Sequence, residues 1–494
     1  MPTSLEQHLP VRGRSSTAIW MCAYILVCFI AVFFARAYVV ENLQILFPAV
    51  VTTALFLYFS LRLRFQIQGN IFGEIGFLYL AFAVAYTVFP AYGFLTLESL
   101  STGNGFQALA VLNPEPAQLG FELWRQVLFI AAVAAGYLLF RGRRTPKFSS
   151  FDTLGASEKP IIWFLFVGIV ISMIVLLCLS SSVTEYIDNY TRYDSLSWPA
   201  RRLITCCSVF KTGGAFVLLT IMFRNYKRYR SYIWAFVMLW IVEEIQGSRG
   251  ARIYAFMTLV AAAVLYHYCV KQITLTKGLL LALILGLAFS AIEISRFSAD
   301  TNPILEENTL SGRGMPAGEL GALFVPAFHL YTERASGSLP HIAWPYFFND
   351  FISLVPLVDQ TEWNPMYWYA ANYFPDAVVP PMTLGPIALS ALAGGEVVLF
   401  IEGFVNGILF AFLMRWFIKD GSRWRIMLLF VFCYSSCIMC LKYSIFWQLV
   451  PLEKTILPLV VIVSVLAKYI HGSSKRAGVA PGDGLSRGVH GPAT

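Results

Sequence analysis

The sequence predicts an all-α, polytopic integral membrane protein of about twelve transmembrane helices, with one long extracytoplasmic loop. Three observations carry this. Hydrophobic residues make up 57% of the 494 and charged residues only 13%, about half the charge of an ordinary soluble domain, and the mean hydropathy is +0.65. The apolar residues fall into runs close to the roughly 20 residues that a helix needs to cross hydrocarbon. Lysine and arginine collect in every second turn between those runs, which is the asymmetry of cytoplasmic loops.

The runs lie at 17–38, 43–61, 71–94, 120–140, 160–180, 202–223, 231–246, 252–270, 277–295, 395–417, 424–443 and 453–471. With a cytoplasmic amino terminus over 1–16, the inside turns carry Arg62 and Arg64, then Arg141 to Arg144 with Lys147, then Arg224, Lys227, Arg228 and Arg230. Lys271 and Lys277, the group Arg415, Lys419, Arg423 and Arg425, and finally Lys475 and Arg476 continue the series. The opposite turns are neutral or acidic. Glu98 and Glu115 occupy one of them, and residues 297–382 hold nine acids against Arg313 and Arg334. Residues 17–471 are therefore expected to form a single transmembrane domain that includes an outer loop over 296–382. The Gly-, Ser- and Pro-containing segment 472–494, which lacks periodicity, is expected to be a disordered cytoplasmic tail. The first run follows Arg12 and Arg14 without a small-residue cleavage pattern and is expected to remain as an anchor.

The outer loop is rich in proline and in aromatic residues, among them Trp344, Trp363, Trp368, Tyr369 and Tyr373. A structureless loop of that length is unexpected in a compact protein, so short amphipathic helices at the outer interface, roofing a cavity, are predicted. The net charge of +8 is spread over the ends of spans, which excludes nucleic-acid binding and points to the membrane surface. All nine cysteines fall in or beside apolar runs, where they read as small hydrophobes rather than disulfides or metal ligands.

Chemistry is suggested where positive charge sits on the wrong side. Arg249 and Arg252, in Gln246-Gly-Ser-Arg-Gly-Ala-Arg252, fall at the outer start of the eighth span. Three residues apart, they share a face if the helix begins by Arg249. A helix amino terminus already carries partial positive charge, so two arginines there are unfavourable until an anion arrives. Arg296 ends the ninth span on the same side, and Arg313 lies in the loop that follows. These four are candidate phosphate ligands, with Arg201 and Arg202 as further outer arginines. Snorkelling to headgroups, or pairing with Glu243 and Glu244, is the competing use. An arginine cage beside Trp and Tyr suits a polyprenyl-pyrophosphate sugar, while an interfacial aromatic belt remains the simpler reading of the rings.

The order of spans, the Gly-Ser-Arg-Gly hinge at 247–250, the arginine ending the next span, the long outer loop, Gly385-Pro-Ile-Ala-Leu-Ser-Ala-Leu-Ala-Gly-Gly-Glu396 and then Phe400 to Gly407 resemble the bacterial O-antigen polymerase (Wzy) family. That family often shows Glu, an aromatic, Asn, Phe and Gly near this point. Here apolar residues follow Glu396, and the Asn-Gly pair falls at Asn406-Gly407.

The resemblance implies a GT-C-like fold and a metal-independent glycosyltransferase without a cofactor, in the bacterial inner membrane and facing the periplasm. The donor would be an undecaprenyl-pyrophosphate oligosaccharide and the acceptor the non-reducing end of another lipid-linked repeat unit, with a polysaccharide chain-length regulator as a possible partner. Arg249, Arg252, Arg296 and Arg313 would take the leaving pyrophosphate. Glu396 and His329 are the candidate catalytic bases, with Glu319 and Asp350 behind them. Glu396 leads because a carboxylate at the outer start of an apolar helix calls for a partner, which the arginines can supply. Gly403 and Gly407 read as helix packing. A lipid-linked oligosaccharide ligase, and a flippase or exporter of lipid-linked glycans, stay open. For the last, Lys211 is the one charge placed deep in a span.

Overall fold

The computed structural model describes residues 40–96, 116–145, 151–152, 154, 158–179, 197–246, 249–274, 276–278, 317–339, 364–373, 384–444 and 449–477. Among these the chain is helical and contains no strand. Six of the described helices are long and apolar enough to cross a membrane, and the protein is an all-α membrane protein. The runs at 17–38 and, for most of its length, 277–295 lie outside the described residues.

In chain order the helices are α1 Val40–Ile67, α2 Ile75–Thr96, α3 Pro116–Phe140, α4 Glu158–Leu179, α5 Trp198–Arg224, α6 Tyr226–Gln246 and α7 Arg249–Cys269. They continue as α8 Ala317–Ser336, α9 Pro365–Tyr373, α10 Pro386–Ala393, α11 Glu396–Asp420, α12 Trp424–Ser436 and α13 Met439–Lys442. The last, α14 Leu457–Ala477, is entered through a π-helical stretch at Leu452–Ile456. Contacts divide the chain into two units, one of residues 1–147, 266–421 and 432–450, the other of 148–265, 422–431 and 451–494.

In the first unit α3 packs against α11, α1 and α2, while α8 packs against α2 and α10. Lipid tails are as apolar as leucine, so helices in a membrane associate through close backbone approach rather than through hydrophobic burial. The α3–α11 contact is built that way. A Cβ on Gly403 would lie 2.9 Å from the Phe129 carbonyl oxygen, one on Gly407 would strike the Val133 carbonyl, and one on Gly136 would strike the Phe404 carbonyl. The paired positions advance together along both helices, so α3 and α11 run parallel and their amino termini meet at one end of the unit. The expected packing role of Gly403 and Gly407 is met.

The opposite end of this unit is tied by Arg141, whose Nε and Nη2 each donate to a Glu74 carboxylate oxygen at 2.5 Å while the Tyr137 hydroxyl donates to the same group at 2.6 Å. The turn around Arg141 was read as one of the basic cytoplasmic turns, and within it this guanidinium is wholly buried. Gly142, at φ 74°, turns the chain immediately after it. Removing one partner of such a pair strands the other charge and costs about 3–5 kcal/mol. Gln66 reaches the carbonyls of Leu138 and Gly142, and Asn70 reaches that of Ile273, at the same end.

In the second unit α5 packs on α4, α6 and α14. Glycines again permit the approach, Gly168 facing the Phe210 ring and Gly213 facing Thr455 and Leu459.

Two expectations are corrected. The run 424–443, read as one span, is broken between α12 and α13. The Ser435 and Ser436 hydroxyls both donate back to the Phe432 carbonyl, a competition with the helix ladder that bends or ends helices. The outer loop was expected to hold only short interfacial helices, but α8 is 20 residues long. Its Phe324, Ala327, Phe328, Leu330 and Tyr331 are buried in the unit rather than laid over it.

Candidate functional site

The meeting of α3 and α11 sets the amino-terminal turn of α11 beside the third turn of α3. There Arg125 Nε donates to Glu396 Oε1 at 2.9 Å, and its Nη1 donates to Glu122 Oε2 at 3.2 Å. The guanidinium lies over the Tyr331 ring of α8, 3.9 Å from its centroid, a distance for cation–π attraction. The Tyr331 hydroxyl shares a 2.9 Å hydrogen bond with Ser390 Oγ of α10. Four helices thus hold one arginine between two carboxylates. Glu122 is fully buried, whereas the Glu396 side chain is 54% exposed, so only the latter is open to a solute.

The chain between α10 and α11 explains why Glu396 stands there. The amides of Gly394 and Gly395 both donate to the Ser390 carbonyl and close α10. Gly395 then takes φ 72°, ψ −145°, a region that essentially only glycine adopts. Arg334 Nη1 donates to the Ala391 carbonyl at 2.8 Å, placing a cation at the carboxyl end of α10. Glu396 places an anion at the amino end of α11. Both charges suit the helix dipoles they meet.

His329 occupies another face of α8. Its Nδ1 is 2.9 Å from the Tyr369 hydroxyl of α9, its Nε2 is 3.8 Å from Glu333, and the Tyr373 ring packs edge-on at 4.4 Å. Burial lowers its pKa below the ordinary 6.5, with the Glu333 carboxylate opposing that shift, and burial raises the Tyr369 hydroxyl. Because the folded state depresses this pKa, the contribution of neutral His329 to stability is full above pH 6.5 and is lost as the pH falls through the lower folded value. The expected result is an unfolding temperature that drops between about pH 6.5 and 5 in the wild type, with a smaller drop in His329→Gln. Equal slopes in the two proteins would refute a buried neutral imidazole.

The structure gives Glu396 a partner, but one that the sequence reading passed over. Arg125 looked like part of an apolar span. The available signal was Glu122 and Arg125 three residues apart inside a membrane helix, where ionisable residues are rare and face partners. Arg334 and Tyr331 were hidden in a loop with no assigned helix. α7 begins at Arg249, so Arg249 and Arg252 do occupy one helical turn, three residues apart; their side chains, and Arg296, Arg313 and Asp350 altogether, lie outside the described residues. Glu319 falls on α8, its side chain also outside them. Lys211 is buried in α5, its Nζ 5.6 Å from the Trp240 ring centroid.

Chemically, the cluster offers an accessible carboxylate held in one orientation, two guanidinium groups and the buried Tyr331 ring. Two arginines and two glutamates balance in formal charge, so the cluster is not by itself an anion cage. Comparison of the chain with the known protein families, with curated proteins and with solved structures finds no match.

Proposed function

We propose that the chain is a membrane glycosyltransferase of about twelve spans and GT-C-like architecture, similar to the Wzy polymerases, that joins undecaprenyl-pyrophosphate-linked repeat units at the periplasmic face of a bacterial inner membrane. The observation that carries this reading is the exposed Glu396 carboxylate fixed by Arg125 at the mouth of α11. An acceptor hydroxyl oxygen attacks the anomeric carbon of the donor and its proton passes to Glu396. The bond from that carbon to the pyrophosphate oxygen breaks, and the electron pair leaves with the lipid pyrophosphate. Arg249, Arg252, Arg296 and Arg313 are assigned to that leaving group from sequence. A guanidinium about 4 Å from it contributes on the order of 4 kcal/mol at an effective dielectric of 20, enough to do the work of a metal ion. The half-buried Trp368 and Tyr373 supply faces for sugar rings.

Incubating the purified full-length protein with lipid-linked repeat units should yield a ladder of polymers and free undecaprenyl pyrophosphate. Glycan transfer only to an acceptor that is not lipid-linked would make the protein a ligase. Donor moved across a vesicle bilayer without a new glycosidic bond would make it an exporter. Either outcome overturns the proposal.

A further inference from the structure

A cavity of about 30 Å³ lies inside the first unit, between α2, α3, α8, α10 and α13. α10 contributes its whole first turn, Gly385 to Ala388, and α3 contributes Gln126 and Phe129. Among the described residues no charged side chain lines it. α10 is eight residues long, about 12 Å, and its carboxyl end leads through Gly394 and Gly395 to Glu396 at the outer cluster. Its amino end therefore lies within the membrane-spanning part of the unit, beside Gln126, ten residues past the start of α3 at Pro116. That end is held in place, since a Cβ on Gly385 would strike the Leu441 carbonyl of α13. A half-helix that begins at membrane depth is a device for presenting its amino terminus to a ligand.

The polar groups around the cavity are donors without acceptors. Gly385 gives α10 no side-chain cap, and the first amide of the helix to reach a carbonyl is that of Leu389, which donates to Gly385. Among the described residues the Ile387 and Ala388 amides meet no acceptor, although Ala388 is buried. A buried helix end left in that state calls for a partner. Gln126 is a second and independent sign. It is only 5% exposed, it lines the same cavity, and among the described residues its side-chain amide has no hydrogen-bond partner. The neighbouring Thr87 hydroxyl is already committed, donating to the Ala83 carbonyl at 3.0 Å. What is missing from this place is an acceptor.

We propose that the cavity binds one monovalent inorganic anion of the halide class, which caps α10. The Ile387 and Ala388 amides and Gln126 Nε2 donate to it, and the partial positive charge of the helix terminus supplies the attraction. The lining sets the valence and size of the occupant. With apolar walls and no lysine or arginine, the roughly half charge of a helix end cannot offset the desolvation of a divalent anion. The volume admits a water or a single small ion and excludes a sugar. Water would use the same donors, and the two occupants differ in their response to salt identity. The site is independent of the reaction proposed above, since it uses none of the residues assigned to it.

The test is the unfolding temperature of the full-length protein in detergent, in sodium chloride, bromide or gluconate at equal ionic strength. Chloride and bromide should raise it by roughly 3 °C over gluconate at saturation. Gln126→Leu keeps the bulk of the side chain and removes a donor, so it should raise the half-saturating halide concentration about tenfold. Crystals grown in bromide should show an anomalous scattering peak beside the Ile387 and Ala388 amides. Identical unfolding temperatures in all three salts would leave water as the occupant and overturn the proposal. An unchanged halide midpoint in Gln126→Leu would overturn this location, and if that variant failed to fold, bromide crystals without a peak in the cavity would do the same.

Discussion

Glu396→Gln is expected to lower polymer formation by about 10²- to 10⁴-fold, the range associated with losing a general base, while leaving the protein folded. The amide has nearly the shape of the carboxylate, and its oxygen still accepts from Arg125 Nε. What it cannot do is take a proton. Because this side chain is exposed and sits at a helix terminus, its replacement disturbs little packing. Arg125→Lys is expected to fall between wild type and Glu396→Gln. An ammonium keeps the charge but cannot bridge two carboxylates from a planar fork. Rates should be measured by single-turnover ladder formation at saturating donor. If Glu396→Gln made polymer at near wild-type rates, the base would be elsewhere, and His329→Gln becomes the next variant to assay.

Arg249→Ala and Arg296→Ala are each expected to reduce turnover by about three orders of magnitude, following the roughly 4 kcal/mol that a guanidinium contributes near pyrophosphate at an effective dielectric of 20. Lysine at either position should restore part of that loss, since charge is recovered without the bidentate geometry. Binding of inorganic pyrophosphate to the purified protein should weaken in parallel. Alanine variants present at normal levels that still polymerise efficiently would assign these arginines to lipid headgroups.

Much of the fold was legible because membrane insertion is governed by local composition. A run of apolar residues forms a helix in hydrocarbon whatever its neighbours are, since no other conformation satisfies its backbone there. The described helices α1 to α7, α11 and α14 accordingly fall on runs read from the sequence. The break after Ser436 was not legible, because two serines and a cysteine do not lower hydropathy enough to register. Helix α8 was missed for the opposite reason. Its Gly318, Glu319, Pro326, Glu333 and Arg334 make it look like loop, and only packing against α2, α3 and α10 makes it a buried helix.

At the site, the sequence determined by itself that Glu396 begins an apolar helix behind two glycines, because a carboxylate in that position is unusual wherever the helix goes. The spacing put Arg249 and Arg252 on one helical turn provided that the helix begins by Arg249, and the structure starts it there. The tertiary structure alone decided which arginine meets Glu396. Arg125 and Glu396 are 271 residues apart, and what joins them is the parallel contact of α3 with α11 through Gly136, Gly403 and Gly407. Pairing between distant helices depends on which backbones can approach closely, and that is a property of two surfaces together that neither stretch of sequence contains.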